Sequence, residues 1–371
     1  MTVRAVARVN LAAIERNCAT LLRATPRLCA VVKADGYGHG AAPCAQAALA
    51  AGASVLAVAT ADEAAQLRAA GIGAPILVLG ALTRVELGDA IAAGAEIVAW
   101  SEALLDWVVD AGGGRVHVKL DSGMGRLGTR DGLFADRLVE RVAASDRLEL
   151  AGVMTHYATA DEPDGRFLDE QAARFSAWVE PLRERHPGLL VHAENSAALL
   201  RHDGPRRFDM ARCGVAIYGL DPFGEDGAAR GLEPALELHS WVAALKPCAP
   251  GESAGYGRRF VAASATKLAV LPIGYGDGVR RALSDNAEVL IGGARRPLVG
   301  TVSMDSLTVD VGLDDAVQVG ADAVLIGASD GERVTAEQLA RRIGTINYEI
   351  TCALTRRVPR EYHRDGEPLR A

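Results

Sequence analysis

Short apolar segments and longer amphipathic segments alternate along the first two-thirds of the chain. The short segments are rich in Val, Ile and Leu and continuously apolar, which is typical of parallel strands covered on both faces. They are Leu28–Val32, Ser54–Thr60, Pro75–Leu79, Glu96–Trp100, Val116–Leu120, Leu150–Thr155, Leu190–Ala193 and Met210–Tyr218. Segments of helical period separate them, such as Asp62–Ala70, Arg84–Ala93 and Arg166–Arg185. About eight strands in roughly 220 residues predict an α/β fold, a (β/α)8 TIM barrel.

A doubly wound open sheet is the structural alternative to this barrel. The dinucleotide-binding form of that fold carries a GxGxxG motif directly after its first strand. No such motif follows Leu28–Val32. The barrel therefore remains the preferred prediction.

The pattern changes from about residue 231 onward, where helical segments become scarce and Gly and Pro separate short strand-like segments. These segments are Leu236–Leu245, Lys267–Pro272, Ala287–Ile291, Pro297–Val302, Leu307–Val311 and Ala323–Ile326, and a late helix is predicted at Ala336–Ile343. Such a pattern indicates a mainly β C-terminal domain. We expect a barrel over residues 10–230 and a β-rich domain over 231–371, which the N-terminal strand within residues 1–9 would join.

Composition and charge narrow the functional classes. The 371 residues carry a net charge of −7, which argues against a general nucleic-acid binder. The longest uncharged stretch, Gly40–Ala61, contains Pro43 and Gln46 and is rich in alanine, so it predicts a helix and a strand instead of a membrane span. Arg4 and Arg8 interrupt the N-terminus where a signal peptide would be apolar.

The six cysteines are scattered, without a CxxC or CxxH pair. This distribution predicts neither a zinc site nor a disulfide framework and fits a reducing compartment. We therefore expect a cytoplasmic protein without a bound metal.

Chemically active side chains lie at or just after the C-terminal ends of the predicted strands. They are Lys33, Arg126, His156, His192, Ser196 and Arg212, and Asp121 and Lys119 lie at the end of the strand before Arg126. In a (β/α)8 barrel these strand ends form one rim, where active sites lie. We therefore expect these residues to converge on one site.

Lys33 is the strongest single candidate on this rim. A lysine at a strand end is usually a solvated surface group, but here four apolar residues precede it and a glycine-rich turn follows it. A lysine at an apolar barrel mouth loses its proton readily and can form a Schiff base. Ser196 and Gly214 follow the last two strands, where barrels commonly bind phosphate. His156, taken alone, would more often be a structural histidine.

Tyrosines flanked by glycine mark the second domain. Tyr256 and Tyr275 each stand between two glycines, and Tyr348 follows Gly344-Thr345-Ile346-Asn347. The chain has only seven tyrosines. Each motif alone also occurs in plain hairpins, but together they suggest a site.

The motifs in this order resemble those of bacterial alanine racemases, which are pyridoxal-phosphate enzymes. The most specific is Ala30–Gly40, which reads AVVKADGYGHG, and the resemblance extends from about Arg4 to Tyr362. It implies a racemase that interconverts L- and D-alanine and supplies D-alanine for peptidoglycan. It further implies a homodimer with shared active sites.

The resemblance also implies a role for each matching residue. Lys33 would hold pyridoxal 5'-phosphate and serve as one base, and Tyr256 of the neighbouring subunit would be the other, supported by His156 and Arg212. Two bases are needed because racemisation removes a proton from one face of Cα and returns one to the other. The remaining cofactor contacts would come from Tyr37, Arg126, His156, Asn195, Ser196, Arg212, Gly214, Val215 and Tyr348. Arg126 and the Met304 N–H would bind the substrate carboxylate, Lys119 could be carbamylated, and Tyr275, Tyr348 and Asp305 would line the entrance.

The chain departs from the family pattern at Arg258-Arg259-Phe260, at Thr301 and at Ser306, which leaves substrate breadth open. A basic amino-acid decarboxylase with the same domain plan is the nearest rival. Such enzymes usually take a cysteine from the second domain where this chain has tyrosine. A protein that only carries the cofactor would lack the β-rich domain.

Overall fold

A computed structural model describes residues 3–201 and 208–369. Its barrel consists of eight parallel strands: Leu28–Val31, Val55–Val58, Ile76–Val78, Glu96–Ala99, Gly114–Lys119, Leu148–Met154, Val191–His192 and Ala211–Cys213. Each strand up to Val191–His192 pairs with the next, and Ala211–Cys213 pairs with Leu28–Val31. A single parallel bridge, Asn195 to Arg212, connects the remaining two ends. The predicted (β/α)8 barrel is therefore confirmed.

Helices alternate with these strands along the chain. They are Leu11–Leu22, Ala41–Ala50, Ala61–Ala69, Arg84–Ala92, Glu102–Asp110, Gly132–Ala143, Arg166–Arg185 and Ser196–Arg201. Two of them begin with a capping box, formed by Thr60 with Glu63 and by Thr83 with Glu86. In each box the threonine hydroxyl accepts from the glutamate N–H, and the glutamate side chain accepts from the threonine N–H. These local signals explain why the predicted helix boundaries lie within a residue of the observed ones.

The barrel core is made of small and branched apolar side chains from the strands. All four residues of Leu28–Val31 and of Glu96–Ala99 are buried, as expected for strands covered on both faces. The prediction of one strand over Met210–Tyr218 is wrong in length. The strand Ala211–Cys213 ends at Gly214, and a 3-10 turn, Val215–Tyr218, follows.

A second sheet contains the N-terminal strand together with strands from the last third of the chain. Its eleven strands are Val6–Asn10, Leu236–Trp241, Ala244–Cys248, Thr266–Leu271, Glu288–Ile291, Ala294–Val299, Leu307–Gly312, Asp322–Ser329, Glu332–Val334, Arg360–Arg364 and Glu367–Pro368. Val6–Asn10 pairs antiparallel with Leu236–Trp241 and parallel with Arg360–Arg364. The single strand predicted over Leu236–Leu245 is two strands, because the strand is interrupted at Val242 and Ala243 and its two parts pair with different neighbours.

The other elements of this region are short. Two helices, Ala336–Arg342 and Asn347–Cys352, lie near the C-terminus. The strands Ser253–Ala254 and Phe260–Val261 form a separate two-stranded ribbon. Short 3-10 turns lie at Gly227–Arg230, Tyr256–Arg258, Tyr275–Asp277 and Arg281–Leu283.

The chain divides into two compact units. One contains the residues up to Ile14, the segment Tyr37–Gly40 and everything from Tyr218 on, and the other contains Glu15–Gly36 and Ala41–Ile217. Within the described residues, no helix is long and apolar enough to cross a membrane. The same residues contain no cluster of three His, Cys, Asp or Glu side chains suited to a metal ion, and all six cysteines are free thiols.

Candidate active site

Lys33 lies directly after the first barrel strand and opens an unusual backbone turn. Ala34, Asp35 and Gly36 have φ values of 52°, 51° and 61°, and Tyr37 follows with 53°. Consecutive residues in the left-handed region cost about 1–2 kcal/mol each for side chains other than glycine. Such strain persists only where surrounding contacts enforce it, and it is common at functional sites.

Side chains from both sides hold this turn. The Ala34 N–H donates to Oε1 of Glu63 over 2.7 Å, and the Ala41 N–H donates to Oδ1 of Asp35 over 2.9 Å. The other carboxylate oxygen of Glu63 accepts from the Ala59 N–H over 2.7 Å. Glu63 therefore connects the ends of the first two barrel strands, a role that its capping-box position alone did not predict.

Arg212 is buried at the centre of the barrel mouth. Its guanidinium donates to the carbonyls of Thr155 and Ala193 over 2.8 and 3.0 Å. It also lies 2.9 Å from Nδ1 of His192 and 3.1 Å from Nδ1 of His156. Burial lowers the pKa of Arg212 to about 10, so the group remains a cation at neutral pH.

His156 is surrounded by positive charge. Burial, followed by the charges of Arg212, Lys119, Arg126 and Lys33, holds the pKa of His156 well below its usual range. The imidazole is therefore neutral at neutral pH. Because a guanidinium can only donate, Nδ1 of His156 must accept, and the ring proton then resides on Nε2.

A chain of hydrogen bonds leads from Arg212 into the barrel. Nε2 of His192 lies 2.9 Å from Nδ1 of His117, whose Nε2 lies 2.7 Å from Oε2 of Glu96. Since Arg212 donates to Nδ1 of His192, the Nε2–H of His192 donates to Nδ1 of His117, and the Nε2–H of His117 donates to Glu96. Burial alone would raise the pKa of the Glu96 carboxyl, but the hydrogen bond from His117 contributes to a net lowering of this pKa. The buried arginine is thus linked to a carboxylate through two imidazoles.

Lys119 ends its strand beside this group. Burial, followed by the charges of Arg212 and Arg126, lowers the pKa of Lys119 to about 8. Arg126 itself is exposed in the loop that follows the strand. Asp121 shapes this loop, because its carboxylate accepts from the Gly123 N–H and the Gly125 N–H at 3.0–3.1 Å.

Ser196 fixes the backbone after the last strand. Its Oγ accepts from the Gly214 N–H over 3.1 Å and from the Ala216 N–H over 3.4 Å, so it holds the turn that contains Val215. Asn195 precedes it, and its side-chain oxygen accepts from the Ala198 N–H over 2.9 Å. Ser196, Gly214 and Val215 are all buried, which produces a small rigid segment at the strand ends.

Tyr37 and Tyr348 belong to the other compact unit. Their ring centroids lie 5.9 Å apart, and the ring of Tyr218 lies 5.2 Å from that of Tyr37. Only glycine fits at position 38, since a Cβ there would lie 2.1 Å from the Thr351 carbonyl oxygen. The residues after the left-handed turn are therefore packed tightly against the helix that carries Tyr348.

Tyr256, Tyr275, Met304 and Asp305 are exposed in the same unit. The side chain of Tyr256 is the most open of them, with 73% of the residue accessible. The Tyr275 N–H and the Gly276 N–H donate to the carbonyls of Ser303 and Met304, each over 2.9 Å. Arg357 bonds Asp305 over 2.6 Å.

The structure thus gathers Lys33, Lys119, Arg126, His156 and Arg212 in one unit, with Ser196, Gly214 and Val215 on strand ends of the same barrel. Tyr37, Tyr256, Tyr275, Met304, Asp305 and Tyr348 lie in the other unit. Sequence reasoning did not single out Glu63, Glu96 or His117. For Glu96 and His117 a signal existed, because each is a polar residue within a continuous apolar strand.

Comparisons with known proteins agree in both halves of the chain. The model described as "Alanine racemase, N-terminal domain" matches residues 9–222, and "Alanine racemase, C-terminal domain" matches residues 235–362. An alanine racemase of Halalkalibacterium halodurans is 42% identical, with 97% of this chain and 95% of the relative covered. One of Thermobifida fusca is also 42% identical, with 98% and 99% covered.

The fold leads to the same family. The crystal structure of an alanine racemase from Streptomyces lavendulae is 35% identical and matches with a TM-score of 0.91, with 98% of both chains covered. Agreement of this extent covers the barrel and the β-rich region together. The chain therefore belongs to the alanine racemase family.

Proposed function

We propose that this chain is a homodimeric racemase that interconverts L- and D-alanine with pyridoxal 5'-phosphate, using Lys33 and Tyr256 of the partner subunit as two bases. The observation that carries the proposal is the group of cations Lys33, Arg126 and Arg212, whose charges help to hold the pKa of His156 below its usual range. A site of this charge suits an anionic cofactor and a substrate carboxylate.

The residues present fit pyridoxal phosphate. Lys33 is an amine at a strand end, where the cofactor would be held covalently. Arg212 is buried and its guanidinium donates to two imidazoles and two carbonyls, so it would present a cation to the pyridine nitrogen. The phosphate would be held by Tyr37, Ser196, Gly214, Val215 and Tyr348, with Asn195 beside them.

When bound, pyridoxal phosphate withdraws electrons from Cα of the amino acid and so makes the α-hydrogen acidic. Lys33 Nζ would take or return this proton on one face of Cα, and Oη of the partner's Tyr256 would do so on the other. An unperturbed tyrosine pKa near 10 makes a poor base. A hydrogen bond from the Nε2–H of His156 would favour the phenolate.

The other residues would orient the substrate and control access. Arg126 and the Met304 N–H would bind the carboxylate, and Lys119, if carbamylated, would become an anion that positions Arg126. Tyr275, Tyr348 and Asp305 would line the entrance. The second domain, residues 231–371 with the strand from 1–9, would bring Tyr256 to the partner. The six free thiols fit the proposed cytoplasmic location.

The Lys33→Ala variant tests this proposal. We expect it to lose both racemisation and the absorbance of covalently held cofactor, because no other lysine lies at this strand end. Purified protein is read spectroscopically before and after borohydride reduction, and racemisation is followed on a panel of L-amino acids. Lys246→Ala, which removes an exposed lysine in the β-rich unit, is the control. A Lys33→Ala protein that keeps reducible cofactor and activity would contradict the assignment, as would release of carbon dioxide by the wild-type enzyme.

A further inference from the structure

Very little regular structure holds Tyr256. The residue follows the two-residue strand Ser253–Ala254, and its turn precedes the equally short strand Phe260–Val261. Within the turn, Gly257 and Arg258 have φ values of 71° and 50°. A two-residue ladder with left-handed backbone beside it is a weak support, so the position of Tyr256 must depend on other contacts.

Thr301 supplies such a contact. Its Oγ1 donates to the carbonyl oxygen of Tyr256 over 2.8 Å. Thr301 is only 6% exposed, whereas Tyr256 is 73% exposed. A buried side chain thus holds the backbone of an exposed tyrosine.

The two segments also touch through their backbones. A Cβ on Gly255 would lie 3.0 Å from the Thr301 N atom, and one on Gly300 would lie 2.8 Å from the Ala254 carbonyl oxygen. Both glycines have positive φ, near 72°. The two segments come close enough for the Thr301 hydroxyl to reach Tyr256 only because positions 255 and 300 are both glycine.

Thr301 is itself anchored on both sides. The Gly300 N–H donates to Oδ1 of Asp285 over 2.5 Å, and the Val302 N–H donates to Oγ of the buried Ser284 over 3.0 Å. The same loop continues to Met304. Ser284 and Asp285, which lie outside the Tyr256 turn, therefore hold the Thr301 loop in place.

We infer that Thr301 is a positioning residue for the catalytic tyrosine, and this inference rests on the proposed function. Its hydroxyl fixes the Tyr256 carbonyl and through it the path of the phenol toward the partner's site. Proton transfer requires the donor and the acceptor within hydrogen-bond reach, so a small displacement of Tyr256 slows one of the two proton transfers and leaves the one at Lys33 unaffected.

The test compares Thr301→Val, which removes the hydroxyl and keeps the shape, with Thr301→Ser, which keeps the hydroxyl. We expect Thr301→Val to lower kcat by about tenfold with a smaller change in KM, and Thr301→Ser to restore kcat. The deuterium isotope effect with α-deuterated alanine should rise for one enantiomer only, the one whose α-hydrogen Tyr256 removes. The cofactor absorbance should not change.

Two further variants make the result decisive. Thr266→Val removes another buried hydroxyl of the same unit, one that donates to Asp310, and should leave the isotope effect unchanged in both directions. If Thr301→Val does not fold, Thr301→Ala is expected to show the same one-sided isotope effect.

The outcomes separate the inference from the proposed function. If Tyr256→Phe abolishes racemisation but the Thr301 variants keep wild-type kcat and isotope effects, the inference is wrong and the proposed function stands. A lower kcat with isotope effects that change equally for L- and D-alanine also contradicts the inference, because a general loss of stability would give the same result. If Tyr256→Phe keeps full activity, the proposed function itself fails.

Discussion

Lys119 shows how burial changes the chemistry of a single residue. Its pKa of about 8 is caused by burial and by the charges of Arg212 and Arg126. A lysine with such a pKa has a substantial neutral fraction just above neutral pH, and the neutral amine is the form that reacts with carbon dioxide. The resulting carbamate would be an anion among cations, which is the favourable sign at this position.

We predict that Lys119 is carbamylated and that the modified fraction increases as the pH rises through about 8. Protein equilibrated with 13C-labelled bicarbonate should show a carbamate carbon resonance that is absent from Lys119→Ala and retained in Lys246→Ala. Restoring the pH should reverse the increase. A wild-type spectrum without this resonance above pH 8 would contradict the prediction.

At the scale of elements, the left-handed turn after the first barrel strand is the feature that sequence reasoning described least well. The glycines of Ala30–Gly40 indicated a turn that approaches a ligand closely. They did not indicate that Ala34 and Asp35 would share its left-handed backbone. That conformation depends on two hydrogen bonds, which the Ala34 N–H donates to Glu63 and the Ala41 N–H donates to Asp35. The first of these connects residues 29 positions apart.

We predict that Glu63→Ala weakens cofactor binding several-fold and lowers the free energy of unfolding by about 1–3 kcal/mol, because the Ala34 and Ala59 N–H groups lose their acceptor. Glu86→Ala is a matched control, since Glu86 closes the same capping box on the next helix without bonding the Lys33 turn. Cofactor titration of the apo protein and urea unfolding measure both effects. If Glu63→Ala and Glu86→Ala lose equal cofactor affinity and equal free energy of unfolding, the effect comes from the helix cap alone and the prediction for the Lys33 turn is contradicted.

The barrel was predictable because its strands are buried on both faces and its helices carry local start signals. The wrong boundaries have physical causes. Met210–Tyr218 is apolar apart from Arg212, yet Gly214 and the Ser196 hydroxyl end the strand, and this contact joins residues 18 positions apart. In Leu236–Leu245 the apolar residues Val242 and Ala243 lie at the break between the two strands, so hydropathy alone does not reveal the break.

The site was predictable where a residue lies at or just after the end of a strand, as for Lys33, His156 and Arg212. The hydrogen-bond chain to Glu96 could not be derived, because a polar residue inside an apolar strand can face either the barrel or the helices. The contact of Thr301 with Tyr256 joins residues 45 positions apart and leaves no pattern in the sequence. The hydrogen-bond chain and the Thr301 contact both form only when distant parts of the chain come together in the folded protein, and local sequence propensity does not encode this.

At the level of the whole molecule, the proposed enzyme consists of two copies of the chain. Apolar and aromatic side chains are exposed in the unit that carries Tyr256, namely Tyr256, Met304, Tyr275 and Ile346, with 41–73% of each residue accessible. Exposed groups of this kind are typical of surfaces that another protein covers. In the proposed homodimer, each active site combines the barrel of one subunit with Tyr256 of the other.

Mixing two inactive variants tests whether Lys33 of one subunit and Tyr256 of the other form one active site. Consider a dimer of one Lys33→Ala subunit and one Tyr256→Phe subunit. If sites are shared across the interface, one site keeps both residues, with Lys33 from the Tyr256→Phe subunit and Tyr256 from the Lys33→Ala subunit. Statistical reassociation of equal amounts is therefore predicted to recover about a quarter of wild-type kcat per subunit, since half the dimers are mixed and each has one working site of two. If the mixed dimers form, as differently tagged subunits can show, and remain inactive, then Lys33 and Tyr256 do not act across the subunit interface and the account is contradicted.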